Sequence, residues 1–203
     1  MSSAKRIEEM LRDAGISPIA GVDEAGRGPC AGPLVIASVI LEDPFADTWS
    51  EIRDSKEISE KKREVLFDIV MENAMAVSVI EVSPEEIDAR GVHAANLDGM
   101  RRAVNGLAIT PSYVLTDGYA IEGLGVPNLA VWKGDQVVTA ISAASIIAKV
   151  TRDRIMRALD EIYPGYGFAG HKGYITAAHT AAIKELGVTP VHRKSFSNIA
   201  ALL

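Results

Sequence analysis

Residues 19–41, IAGVDEAGRGPCAGPLVIASVIL, decide the fold. Ile19–Val22 is a short apolar run that reaches the acidic pair Asp23-Glu24. Leu34–Leu41 is unbroken, β-branched and of strand length, the composition of a central strand covered on both faces. The intervening GRGPCAGP is rich in glycine and proline and reads as a turn or loop. A link this short pairs the two strands antiparallel.

Outward from this hairpin, strands and helices alternate. Ser59–Ala74 predicts an amphipathic helix with Ser59 as its cap, and Met75–Val82 a third strand. Ser83-Pro84-Glu85-Glu86 opens a helix, with Ser as cap, Pro at the first position and acids in the first turn. Another helix is expected near Asn96–Leu107. Tyr113–Thr116 reads as a fourth strand ending on Asp117, and Ala130–Lys133 as a fifth ending near Asp135. Thr139–Ile162 is a long helix with Ile141, Ala144, Ile147, Ala148, Thr151, Ile155, Leu159 and Ile162 along one side. Residues 164–174, PGYGFAGHKGY, read as a loop, and Thr176–Leu186 as a last helix stopped by Gly187. Upstream, Met1–Asp13 reads as a short amphipathic helix. This order predicts one α/β domain over residues 1–203, with a mixed five-stranded sheet flanked by helices.

A hydrophobic share of 48% and a charged share of 24% are those of an ordinary globular chain. Its apolar stretches are too short and too interrupted for a membrane helix, and the first residues lack the apolar centre of a signal peptide. The single Cys30 excludes an internal disulfide framework and suits a reducing cytoplasm; zinc is disfavoured because no finger spacing accompanies it. Cys30 reads as structural, and Trp49 and Trp132 as packing residues. The net charge is −6, yet Lys149–Lys194 carries eight Lys or Arg against four Asp or Glu, together with three of the four histidines. A locally basic face beside acidic residues suits phosphate binding, although a solvated helix face has the same composition.

Four acids stand at or near strand ends: Asp23, Glu24, Asp117 and Asp135. Singly, Asp117 and Asp135 beside their glycines fit turn chemistry, and Asp23-Glu24 fits a solvent-exposed strand end, since neighbours on a strand face opposite sides. Together they are the oxygen donors that hard cations such as Mg²⁺ take, in the manner of phosphoryl-transfer sites. Gly26 and Gly28 allow close approach of the main chain to a ligand, and Arg27 offers a fork suited to phosphate. Lys56 lies in a loop before a helix, and Ser142, Ser145, Lys149 and Arg152 share a helix face. His171 and Tyr174 stand in a glycine-rich loop, offering charge and an aromatic platform, and His192-Arg193-Lys194-Ser195 forms a basic cluster near the C-terminus.

GVDEAGRGPCAGPLV, DSKEISEKKRE, YVLTDG, KGD, ISAASIIAKVTRDR, YGFAGHKGY and HRKSF occur in an order that resembles bacterial ribonuclease HII, over about Ile19 to Phe196. The resemblance implies a ribonuclease H-like core over about residues 19–160 and a C-terminal loop and helical substrate-binding part over about 161–203. It implies metal ligation and catalysis by Asp23, Glu24, Asp117 and Asp135 with Mg²⁺ or Mn²⁺. It also implies recognition by Gly26, Arg27, Gly28 and Tyr174, with Lys56, Ser142, Lys149, Arg152 and His171 as further substrate contacts. The implied activity is hydrolysis of the RNA strand of RNA–DNA hybrids and incision at ribonucleotides in duplex DNA, leaving 5′-phosphate and 3′-hydroxyl ends, by a cytoplasmic monomer. Where many relatives carry Asn-Ile, this chain has Gly91-Val92, a departure from the pattern at a position where the resemblance implies a nucleic-acid contact.

Overall fold

The computed structural model describes residues 5–52 and 58–203. Five strands, β1 (Ile19–Ala25), β2 (Leu34–Ile40), β3 (Ala76–Val82), β4 (Tyr113–Asp117) and β5 (Asn128–Val131), form one sheet in the order β3-β2-β1-β4-β5. The β1–β2 and β2–β3 pairs are antiparallel, whereas β1–β4 and β4–β5 are parallel, which is the expected mixed sheet. The helices are α1 (Lys5–Asp13), α2 (Glu60–Asn73), α3 (Pro84–Arg90), α4 (Val92–Asn105), α5 (Thr139–Ile162), α6 (Phe168–His171), α7 (Ala177–Leu186) and α8 (Ser197–Ala200).

Side-chain alternation on β2 explains its unbroken apolar sequence. Val35, Ala37 and Val39 pack on one face in a cluster with α5 and α2, and Leu34, Ile36 and Ile40 pack on the other with α3 and α4. β1 continues both sets, Ile19 on the α5 side and Ala20 and Val22 on the α4 side. A third cluster, with Cys30, Met156, Tyr166, Phe168, Ile183 and Ile199, joins the C-terminal part to the loop between β1 and β2.

Helix α5 lies against β1 closely. A Cβ built on Gly21 would stand 2.1 Å from the carbonyl carbon of Ala140. No residue of its own segment caps α5; Glu8 of α1 does so from a distance, accepting from the N–H groups of Thr139 (2.9 Å) and Ala140 (3.1 Å). Glu8 is 1% exposed, and burial lifts its pKa above the ordinary value, against the pull of those two N–H groups.

Several boundaries differ from the sequence reading. Helix α4 starts at Val92 rather than near Asn96, because Gly91 (φ 79°) ends α3 and begins α4 without a loop. Strand β5 begins at Asn128, whose side-chain amide pairs with the N–H and carbonyl of Ile121, and it ends at Val131. Trp132 therefore lies beyond the strand and is 83% exposed, not a packing residue; Trp49 is buried as expected. The loop 164–174 contains the helical turn α6, and α8 follows α7. Ile162 on the expected apolar side of α5 is exposed, while residues 140–148 are buried all round. Among the described residues no helix is long and apolar enough to cross a membrane.

Candidate active site

The parallel strands β1 and β4 end side by side, with Val22 opposite Thr116, so Asp23, Glu24 and Asp117 emerge at one edge of the sheet. Asp23 points to the α5 side, where Ser145 bonds it, and its own Oδ1 accepts the Glu24 N–H at 2.7 Å. Glu24 points to the α4 side, toward Asn96 and Arg27. The adjacent acids thus take opposite faces, as strand geometry requires, and both still line one cleft of about 450 Å³. Asp117, Arg63, Ser145, Lys149, Arg152 and Tyr174 line it too, with the main chain of Ala25 and Gly26.

Electrostatics mark this edge as anionic. Burial, then the charges of Glu24 and Asp117, raises Asp23 well above the carboxylate range. Glu24 is pushed up to about 7 by burial and Asp117, with Arg27 opposing. Among the described residues nothing hydrogen-bonds the buried Glu24 Oε2. An ionised oxygen left in that condition is costly, and mutually repelling buried carboxylates are relieved by a cation. The all-oxygen donor set fits Mg²⁺ or Mn²⁺. As the side chains stand, no three acidic, imidazole or thiol groups among the described residues close on a single ion position.

The fourth expected acid is not brought to the cleft. Asp135 is 2% exposed in a turn at Gly134–Gln136 and does not line the cavity. It is tied to the site indirectly, because Asp117 Oδ1 accepts the Gly134 N–H at 2.7 Å. Ser142, expected to contact substrate, is buried instead and donates its hydroxyl to the carbonyls of Asp135 (2.6 Å) and Val138 (3.0 Å).

The GRG loop is built from beneath by arginines. Gly26 has φ 100°, and a Cβ there would stand 2.0 Å from Arg152 Nε, so position and conformation both exclude a side chain. Arg152 touches the cleft, yet its guanidinium donates to the carbonyls of Ala31 and Pro33. Burial lowers its pKa to about 10. Arg27 folds back over the Tyr119 ring, donating to the Tyr119 hydroxyl at 2.8 Å and lying 3.6 Å from Glu24. Gly28 faces the half-exposed Tyr174, with 3.5 Å between a Cβ there and that ring.

Lys149 lies on the cleft wall, held by Asp153 at 2.7 Å, and Arg63 reaches the same buried acid at 4.0 Å. His171 turns inward: its Nε2–H donates to the Tyr166 carbonyl and its Nδ1 accepts the Gly173 N–H. Cys30 is buried with its thiol pKa raised by burial, and it donates to the Gly173 carbonyl, in keeping with a structural role. His179, 3.9 Å from its sulfur, escaped the sequence reading. Lys56 lies outside the described residues. The sequence reading also missed Arg63, Asn96, Tyr119 and Asp153 as site components. Asn96 carried a signal, as the polar member of the buried i, i+4, i+7 series Asn96, Met100 and Ala103.

Residues 20–199 match the family model described as Ribonuclease HII. A ribonuclease HII of Rhodococcus opacus is 52% identical over 202 residues, covering all of this chain and 89% of that protein. One from Mycobacterium avium is 50% identical over 198 residues, covering 98% and 86%. Among solved structures, the ribonuclease H2 of Pyrococcus horikoshii superimposes with a TM-score of 0.80 at 29% identity, covering 92% of this chain and 97% of that one. With the sheet order, the acid-lined edge and these likenesses over nearly its full length, the chain belongs to the ribonuclease HII family and is a ribonuclease.

Proposed function

We propose that this enzyme hydrolyses the RNA strand of RNA–DNA hybrids and incises duplex DNA at embedded ribonucleotides, as in ribonucleotide excision repair, leaving 5′-phosphate and 3′-hydroxyl ends. The observation that carries this reading is one cleft in which Asp23, Glu24 and Asp117 from two parallel strand ends stand beside the Gly26–Gly28 loop and Tyr174. Asp23, Glu24 and Asp117 would hold Mg²⁺ or Mn²⁺, with Asp135 joining by movement of the turn that Asp117 anchors. Bound divalent ions would supply an activated water and charge stabilisation at the scissile phosphate.

The chain's own residues supply binding and selection. Lys149 and Arg63 on the cleft wall attract the phosphate backbone, and Asp153 fixes where their charges lie. Ribose differs from deoxyribose by the 2′-hydroxyl, which the main chain of the GRG loop, whose Gly26 lines the cleft, would bond. Tyr174, half exposed beside Gly28, would pack on the neighbouring sugar.

The test is cleavage of three labelled duplexes, one with a single ribonucleotide, one a uniform hybrid and one all DNA, each with and without Mg²⁺. The reading expects metal-dependent cutting of the first two and none of the third. Cutting of all-DNA duplex would make it a general nuclease, and hybrid binding without metal-dependent turnover would make it a binding module.

A further inference from the structure

Two members of the basic cluster near the C-terminus, His192 and Arg193, are buried, while Lys194 and Ser195 are exposed. Arg193 is fully buried, and its guanidinium donates to the carbonyls of Gly26 (2.7 Å), Arg27 (3.1 Å) and Gly32 (2.9 Å). Its own N–H donates to the Cys30 carbonyl at 2.8 Å. One buried side chain therefore ties the main chain of the GRG loop to Gly32.

The preceding residue leads to Tyr174. His192 Nδ1 accepts the Thr189 N–H at 3.0 Å, so the ring proton sits on Nε2, which donates to His179 Nε2 at 3.1 Å. His179 in turn donates from Nδ1 to the Tyr174 carbonyl at 2.9 Å. A backbone donor at one end and a carbonyl at the other leave a single arrangement of protons. Burial keeps both rings neutral, lowering the His192 pKa to about 4 and that of His179 below its usual value. His171 stacks on His179 with ring centroids 4.3 Å apart.

We propose that His192 and Arg193 are positioning residues for ribonucleotide selection. Arg193 holds the carbonyls of Gly26 and Arg27, and His192, through His179, holds that of Tyr174. Adjacent residues of one segment thus set the separation between the two elements that read the sugar. The inference rests on the incision activity proposed above. Neither residue meets substrate: His192 is 1% exposed and Arg193 0%.

The experiment compares kcat/KM on the single-ribonucleotide duplex with that on the uniform hybrid, at a temperature where each variant's melt shows it folded. His192→Gln keeps an N–H where Nε2 lies and so can still donate to His179, whereas His192→Asn does not reach it. The ratio should fall roughly tenfold in His192→Asn, the effect of one lost buried hydrogen bond, and stay within about threefold of wild type in His192→Gln. Arg193→Lys, able to reach one carbonyl but not three, should resemble His192→Asn. Equal losses on both duplexes, or like behaviour of the Asn and Gln variants, would overturn the inference alone. A wild type that leaves the single-ribonucleotide duplex intact would overturn the proposed incision activity and this inference with it.

Discussion

Gly21→Ala adds one methyl group two residues before Asp23 on β1, without touching any carboxylate, and it should damage both folding and catalysis. The new Cβ would stand 2.1 Å from Ala140 C and 2.3 Å from Ile141 N, both backbone atoms that no rotamer change can move aside. Carbon atoms pack at about 3.5 Å or more, so α5 must shift by roughly 1.4 Å at this crossing. Gly21 has no positive φ, so on backbone grounds alone alanine would stabilise by about 0.4–1 kcal/mol through the unfolded chain. The steric term has the opposite sign and is larger, about 1–3 kcal/mol for an overpacked core. Helix α5 carries Ser145 to Asp23 and Lys149 to the cleft, and a displacement near 1 Å can cost about a hundredfold in rate. Urea melts and kcat/KM on a uniform hybrid measure the two effects. A variant as stable as wild type and within threefold of its rate would refute the close docking of α5 on β1.

Glu8→Ala removes the distant cap of α5 and should destabilise by about 2 kcal/mol, or roughly 4–8 °C in Tm, with Glu8→Gln intermediate; an unchanged melt would show the cap to be idle. His192 should make the fold acid-sensitive. Its folded pKa is about 4 against 6.5 unfolded, so the unfolded chain binds the proton first. Stability from this group is full above about pH 7 and falls between pH 6.5 and 4, by roughly 3 kcal/mol. Without metal, Glu24 works the other way: its pKa near 7 favours the fold at low pH, and that contribution is lost as pH rises from about 4.5 through 7. The histidine contribution is therefore read as the difference between wild type and His192→Gln at each pH, and a difference that does not change with pH would contradict it. Tyr174→Ala should weaken cutting at a single ribonucleotide more than on long hybrids; equal loss on both would remove it from sugar recognition.

The sheet was legible because its strands obey simple patterns. An apolar run covered on both faces marked β2, acids after apolar runs marked the ends of β1 and β4, and helical spacing gave α5 from Thr139 to Ile162. The acidic edge was legible for the same reason, since a carboxylate just past a parallel strand falls at the sheet's C-terminal edge. What escaped were polar side chains whose partners are main-chain atoms elsewhere. Glu8 looked like one more charge on an amphipathic helix, and Arg193 like one more charge in the basic cluster near the C-terminus, because no periodicity announces an N–H or carbonyl brought close by folding. Ser142 had the right helix face for the cleft but lay one turn too early, over the Asp135 turn. Trp132 was misjudged because β5 stops at Val131, leaving the ring beyond the core.

If Asp23, Glu24 and Asp117 form one cation-dependent catalytic centre, as proposed, the decisive measurement is the Mg²⁺-dependent cleavage rate of Asp117→Asn on a duplex with one ribonucleotide, beside the affinity of the same variant for that duplex. Cleavage should be lost and binding retained. Turnover near that of the wild type would contradict the proposal.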